Sequence, residues 1–404
     1  MSVASDAAQQ RLRFGEFIAL LALLFATVAF SIDAMLPVLG VIGDELSPPD
    51  PGRAQLVITV FVVGLGLGTF LSGPISDRFG RKPVILTGIA IYMVAATVAA
   101  TSDSLETLLA ARFVQGLGAA APRVVAQALV RDLYVGRHMA RVMSFAMAVF
   151  VLVPAVAPLI GAYIAAGFGW RAIFWSFLVF GLVSGTWLAL RQPETLPPES
   201  RRNLHPADLW AALREVLGHA RVRLFLLALA LSFAPMFAWL ASVALIFEQT
   251  FDRGPEFPYW FALVAVFSAP ASLINATLVV RLGMQRLVSV ALLAQIASAV
   301  AILLLMTAGD VSFTAFVLFM WLQFFSIGLV FGNLNALALE PLGHIAGMAT
   351  SVMGGISTMA AAILATPIAR AFDGTAGPLA IGALLCAALA LVCVRLAARR
   401  PSSA

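Results

Sequence analysis

Residues 73–83 read GPISDRFGRKP. They form a short polar loop carrying one acid and three basic residues, set between two long apolar runs. Gly73 and Gly80 allow close backbone approach and a tight turn, and Asp77 at a helix end can accept hydrogen bonds from a neighbouring helix N-terminus. Arg78, Arg81 and Lys82 suit the headgroup layer of a membrane. The loop makes sense only if the runs on either side cross a bilayer.

The rest of the chain bears this out. It has 404 residues, of which 61% are hydrophobic and only 11% charged, against about 25% charged in soluble domains. Runs of membrane-spanning length recur from end to end, at 17–39, 54–75, 84–102, 106–130, 142–166, 172–190, 223–247, 258–280, 287–308, 312–338, 346–369 and 377–396. Lipid offers backbone groups no partner, and the runs are too long for barrel strands, so all twelve are expected to be helices. Arg11 and Arg13 before the first run resemble a secretion signal. That run is nevertheless long, contains Asp33 and lacks a small-residue cleavage site after it, so a retained first helix is expected.

Basic residues fix the expected orientation. Nineteen of the 25 Lys and Arg fall in the segments on the side of the termini, and four (Arg53, Arg171, Arg253, Arg370) fall opposite. Arg112 and Arg123 lie within a span. This bias predicts a multi-pass membrane protein with both termini cytoplasmic. Basic residues are scattered through short loops with no interleaved aromatics, which argues against nucleic acid as a partner.

One long polar connection interrupts the spans. It divides the chain into an expected six-helix bundle at 1–190, a cytoplasmic linker at 191–222 and a second bundle at 223–404. In the linker, Leu209, Trp210, Leu213, Val216 and Leu217 share a helical face and are expected to lie along the membrane surface. The second half repeats the diagnostic loop in weakened form, as Arg281-Leu282-Gly283-Met284-Gln285-Arg286, which suggests a duplicated transporter.

GPISDRFGRKP, with twelve spans and a central linker, resembles the signature loop of the major facilitator superfamily. SIDAMLPVL in span 1, ARFVQGLGAAA in span 4, VPAVAPLIGAYI in span 5 with WRAIFW after it, and EPLGHIAGMATSV between spans 10 and 11 are similar to stretches of its twelve-span drug:proton antiporters, and within them of the bicyclomycin and chloramphenicol resistance subfamily. The resemblance implies an all-α fold of two pseudo-symmetric six-helix bundles. It also implies a gating role for Gly73, Asp77, Arg78, Gly80 and Arg81, holding the halves together on the cytoplasmic side. Pro154, Pro158 and Gly161 resemble the antiporter motif; prolines there supply a pivot or a packed seam.

Asp33 is the only carboxylate deep within any predicted span, at a cost of about 2.5–3.5 kcal/mol even on lenient insertion scales. Span 4 carries Arg112, Gln115, Arg123 and Gln127. At 100° per residue, Arg123 returns to within about 20° of Arg112, about 16 Å along the axis. Such a stripe faces a cavity. Asp33 and Arg112 each lie about six residues from the outer ends of their predicted spans, so a contact between them, direct or through water, is expected. Burial and a nearby cation pull the proton affinity of an acid in opposite directions, so small rearrangements would let Asp33 load and unload a proton.

The second half offers amides (Asn275, Gln295, Gln323, Asn333, Asn335) and aromatic density including Phe233 and Phe237, a wall suited to lipophilic ligands. The expected substrate cavity therefore comprises Asp33, Arg112, Gln115, Arg123, Phe237 and Asn333, with Asp33 as proton site. Cys386 and Cys393 lie about 10 Å apart along one helix, too far to bridge. All four histidines fall in connections, and no second deep carboxylate or nucleophile–base pair exists, which argues against metal, cofactor and enzyme readings. The expectation is a monomeric, proton-coupled exporter of small lipophilic or zwitterionic compounds by alternating access. The alternative is an exporter or proton symporter of a small organic, possibly anionic, metabolite.

Overall fold

The computed structural model describes residues 12–134, 136–201, 206–309 and 311–399, and contains no strand among them. The first bundle comprises α1 (Phe14–Asp33), α2 (Leu56–Phe79), α3 (Arg81–Ala100), α4 (Leu105–Leu133), α5 (Gly136–Phe168) and α6 (Arg171–Arg191). A linker helix (Pro206–Gly218) leads to the second. That bundle comprises α7 (Ala220–Leu245), α8 (Phe257–Ser268, resuming past Ala269 as Pro270–Leu282), α9 (Met284–Ala308), α10 (Phe313–Leu339), α11 (Ala346–Arg370) and α12 (Gly377–Ala398). Eleven of these rods are long and apolar enough to cross a membrane, and α5, the twelfth, is a helix of 33 residues.

Two proline sites depart from uniform spans. Span 1 does not end near residue 39. After Asp33 the chain turns, passes through a 3-10 segment (Leu36–Val38), and continues as a short helix (Leu39–Leu46). Pro37 lacks an N–H and crowds the residue before it, so the α-helix breaks there and Asp33 becomes its last residue. Pro270 breaks α8 in the same way.

The diagnostic loop and its repeat have the same shape. α2 and α3 are joined by Gly80 alone, at φ +102°, and α8 and α9 by Gly283 alone, at φ +78°. Both glycines take the left-handed backbone that side chains resist.

Close helix packing relies on small residues, as lipid-embedded bundles require. A Cβ at Gly118 would lie 2.7 Å from Tyr92 N, and one at Gly355 would lie 2.8 Å from Gly66 O. The second of these seams joins α2 to α11, one bundle to the other.

The end of the molecule opposite the termini is closed by contacts between bundles. Arg370 Nη2 donates to Asp50 Oδ2 at 3.1 Å, and the hydroxyls of Tyr163 and Tyr259 lie 3.0 Å apart. A Cβ at Gly40 would meet Glu248 Oε2 at 3.5 Å. At the end bearing the termini, by contrast, the Pro270–Leu282 half of α8 buries only Ala271, with Leu273 73% and Val280 85% exposed.

The linker helix docks on the second bundle through one side only. Ala212 and Val216 are buried and Leu213 partly so, against the second bundle, while Trp210 and Leu217 are exposed. The apolar arc is wider than one contact and splits between two faces. The side chain of Leu209 lies outside the described residues.

Candidate functional site

Arg112 is the centre of the first bundle's polar interior. It is fully buried, with Nη1 donating to Gln115 Oε1 at 2.7 Å, Nη2 to Ser31 O at 2.9 Å and Nε to Val57 O at 3.3 Å. Its Cζ sits 4.2 Å from the Phe61 ring centroid and 5.9 Å from that of Phe174. Desolvating a guanidinium costs several kcal/mol, offset here by two carbonyls, an amide and ring faces worth up to about 2 kcal/mol when dry. Arg112 is therefore a strut joining α4 to α1 and α2.

The expected direct contact between Asp33 and Arg112 is not made. Their depths do match, since Arg112 reaches the backbone only two residues from Asp33. However, what the guanidinium meets on α1 is the backbone carbonyl of Ser31 and not the carboxyl group of Asp33. Asp33 is 4% exposed, and no hydrogen bond or ion pair reaches it among the described residues. The group that joins this network instead is Tyr92, whose hydroxyl lies 2.6 Å from Ser31 Oγ. Tyr92 went unread because a lone tyrosine in an apolar run carries no pattern.

Below Asp33 lies the α1–α5 seam. A Cβ at Gly161 would stand 2.8 Å from the Ala34 carbonyl carbon and 2.9 Å from its Cα, and closer still to its oxygen. Gly161 thus lets α5 press on the backbone immediately after Asp33. Pro154 and Pro158 sit in the same continuous helix, Pro158 buried.

Arg123 is partly exposed and, among the described residues, has no hydrogen-bond or ion-pair partner. Gln127, one turn on, is exposed. In the second bundle, Asn333 Nδ2 donates to Asn275 Oδ1 at 2.6 Å and to Leu329 O at 2.7 Å, tying α10 to α8. Gln323 Nε2 donates to Gln295 O and Ser298 Oγ. Phe237 is buried, stacked on Phe233, which meets Phe331 edge-on. Gln115 Nε2 is buried without a partner among the described residues.

In the 73–83 loop, Arg81 is the hub. Nη1 donates to Asp77 Oδ1 at 2.5 Å and Ser76 Oγ at 2.7 Å, and Nε to Asp132 Oδ2 at 2.9 Å, at the end of α4. The backbone N–H groups of Arg81 and Lys82, the first two of α3, donate to Glu194 Oε1 and Oε2 at 2.9 and 3.0 Å. Glu194 belongs to the start of the linker. It supplies the acceptor that Gly80 cannot, and satisfies donors a helix start leaves open. Arg78 lies over the Phe79 ring instead. Gly73 faces the second bundle, where a Cβ would lie 2.6 Å from Ser351 Oγ of α11. Asp132 and Glu194 were not singled out from sequence, because neither lies in a motif and their partner is remote in the chain.

Twelve spans in two bundles, joined at glycine seams and enclosing polar groups on α1 and α4, define a polytopic membrane protein of the solute-transporter type. The Major Facilitator Superfamily profile matches residues 19–366, and the chain belongs to that family. It is 32% identical over 374 residues to the bicyclomycin resistance protein homolog of Haemophilus influenzae, covering 90% of this chain and 91% of that one. It is 30% identical to the chloramphenicol resistance protein of Pseudomonas aeruginosa, covering 75% and 72%. Its fold is similar to that of the human organic anion transporter MFSD10, with a TM-score of 0.71 at 19% identity over 96% of this chain and 100% of that chain.

Proposed function

We propose that this protein is a proton-coupled antiporter that exports small organic compounds from a bacterial cytoplasm by alternating access. The observation carrying the proposal is Asp33, a buried carboxyl group without a counter-ion among the described residues, at the break in α1. Arg112 cannot deprotonate, so Asp33 is the group in this region that can take up and release a proton. The resistance proteins to which the chain is similar support export of antibiotics. With both termini cytoplasmic, as the basic-residue bias argues, the Asp50–Arg370 and Tyr163–Tyr259 contacts close the external side and the cavity opens inward.

In this reading residues 1–190 and 223–404 rock against each other as a monomer, with 191–222 as the connection. Gly73, Asp77, Arg78, Gly80 and Arg81 form the inner gate. No catalytic step and no cofactor is involved. A substrate that favours deprotonated Asp33 exchanges for a proton, and one charge moved through 100 mV supplies about 2.3 kcal/mol. The test is Asp33→Asn in proteoliposomes with an imposed pH gradient. Loss of gradient-driven transport with normal folding supports the reading; undiminished transport refutes it.

A further inference from the structure

We propose that the inner half of α8, Pro270–Leu282, is the moving leaf of the inner opening, jointed at Pro270 and Gly283 and caught in its closed position by the hydrogen bond between Asn275 and Asn333. The leaf has its purpose only within the transporter reading. Its mobility rests on a difference between the two copies of the one-residue turn.

In the first copy, everything around the turn is locked. α2 runs unbroken from Leu56 to Phe79, through Pro74, and buries residues along its length down to Ser76. Past Gly80, Arg81 binds Asp77, Ser76 and Asp132, and Glu194 accepts from the backbone N–H groups of Arg81 and Lys82. Lys82 Nζ donates to Ala189 O of α6 at 2.7 Å.

In the second copy these restraints are missing. Aligning Gly283 with Gly80 puts Val280 in the place of Asp77 and Met284 in that of Arg81, so the charged hub has no counterpart. No side chain caps the start of α9, and nothing lies within 4 Å of a Cβ built on Gly283. The first buried residues of α9 are Leu287 and Val288, a turn beyond the joint.

At its other end the leaf is cut off from the anchored half of its own helix. Phe257, Phe261 and Val264 are buried there, with Phe257 against Phe247 and Phe261 against Phe324. Pro270 has no N–H to continue the ladder, and the carbonyl of Phe267 at the break accepts from Trp321 Nε1 of α10 at 3.2 Å. Beyond the break, the leaf rests on α10 at two levels. Ala271, its one buried residue, lies over Gly328, where a Cβ would stand 2.8 Å from that of Ala271. One turn further, Asn333 Nδ2 donates to Asn275 Oδ1 at 2.6 Å. Among the described residues no other hydrogen bond or ion pair joins Pro270–Leu282 to another helix. Asn333 also donates to Leu329 O of its own helix, which makes it a fixed post and Asn275 the part that leaves. The outer half of α8 packs on α5 of the first bundle, whereas the inner half has no comparable packing there. The leaf therefore borders the gap between the bundles on the α5 side.

The test measures distances and needs no transport. Purified full-length protein in lipid nanodiscs, with Cys386→Ala and Cys393→Ala, carries spin labels at Val280→Cys on the leaf and Val392→Cys on α12. A second sample carries them at Leu263→Cys, on the anchored half of α8, and Leu385→Cys. Pulsed electron paramagnetic resonance is expected to give one distance for the outer pair and two for the inner pair. Asn275→Ala or Asn333→Ala should raise the ratio of displaced to caught leaf by about two- to tenfold, the range of one buried amide hydrogen bond. The double substitution should go no further than either single one, because both remove the same contact. Gly328→Ala, which keeps both amides and crowds Ala271, should also favour the displaced distance. An inner distribution that the asparagine substitutions leave unchanged overturns the proposal, as does an outer pair that shifts equally. A leaf that responds as expected in a protein that moves no protons refutes the antiporter reading and leaves the leaf standing; an unresponsive leaf in a working antiporter does the reverse.

Discussion

Replacing Gly161 by alanine probes the seam on which Asp33 depends. The added Cβ would stand 2.8 and 2.9 Å from the carbonyl carbon and Cα of Ala34, where carbon atoms prefer about 3.5–4.0 Å. The obstacle is backbone at the break in α1, with no side chain that can swing aside, so α5 must retreat by about 0.6–1.2 Å. Overpacking of this kind costs about 1–3 kcal/mol, of which alanine returns up to about 1 kcal/mol through helix propensity. The net stability loss is therefore small, whereas the displacement falls one residue from Asp33, the proposed proton site. Gly161→Ala is expected to lower the thermal midpoint of the detergent-solubilised protein only slightly, yet to cut pH-gradient-driven transport in proteoliposomes on the order of tenfold, the scale of a 1 Å misplacement at a working site. Gly167→Ala is the control. It lies on the same helix with nothing within 4 Å of its Cβ, and should change neither quantity. Wild-type transport by Gly161→Ala would refute the reasoning, as would equal loss in both variants.

Three further outcomes are expected. A double Asp50→Cys, Arg370→Cys variant, bridged by a cleavable bifunctional thiol cross-linker that spans the length of the lost side chains, should stop transport reversibly, since the native pair joins the two bundles with Arg370 Nη2 3.1 Å from Asp50 Oδ2; undiminished transport by fully cross-linked protein would rule out a gate there. Glu194→Ala removes the acceptor for the Arg81 and Lys82 backbone N–H groups and should cost about 1 kcal/mol, as loss of a helix cap does, read as faster limited proteolysis at the start of the linker. Arg112→Lys should lower the thermal midpoint markedly, with a loss of about 2–4 kcal/mol, because a point charge cannot serve three acceptors spread around a planar fork.

Much of the architecture was legible in the sequence because the physics acting on it is one-dimensional. A bilayer demands about 20 apolar residues per crossing, and arginine placement follows the side of the membrane, so the spans and the two-bundle division follow from counting. Gly80 and Gly283 were legible as a repeat for the same reason: a one-residue turn leaves little choice of residue. What counting cannot supply is rotation. The depth of Asp33 relative to Arg112 came out correctly, but whether Arg112 meets the carbonyl of Ser31 or the carboxyl of Asp33 depends on how α1 is turned, and it meets the carbonyl. Glu194 and Asp132 escaped for a related reason. Their partner Arg81 lies 113 and 51 residues away, and nothing local marks them.

The two arginines of α4 illustrate how one stripe serves two purposes. They share a direction, and both carry a permanent charge in a low-dielectric region where an uncompensated cation is expensive. Arg112 is compensated by the protein itself, through backbone carbonyls that cannot change protonation state and aromatic faces that cannot move far. Its charge is therefore constant through any transport cycle, and it fixes α1 and α2 against α4 while other elements shift. Arg123 has no such partners among the described residues, although the same helix face could have carried an acid one turn away at Gln127. With Arg112 between them in depth, Asp33 and Arg123 stand about 16 Å or more apart along the helix direction. Since Arg112 holds α1 and α2 against α4, a change at Asp33 is transmitted by movement of these helices as a unit and not by α1 sliding on α4.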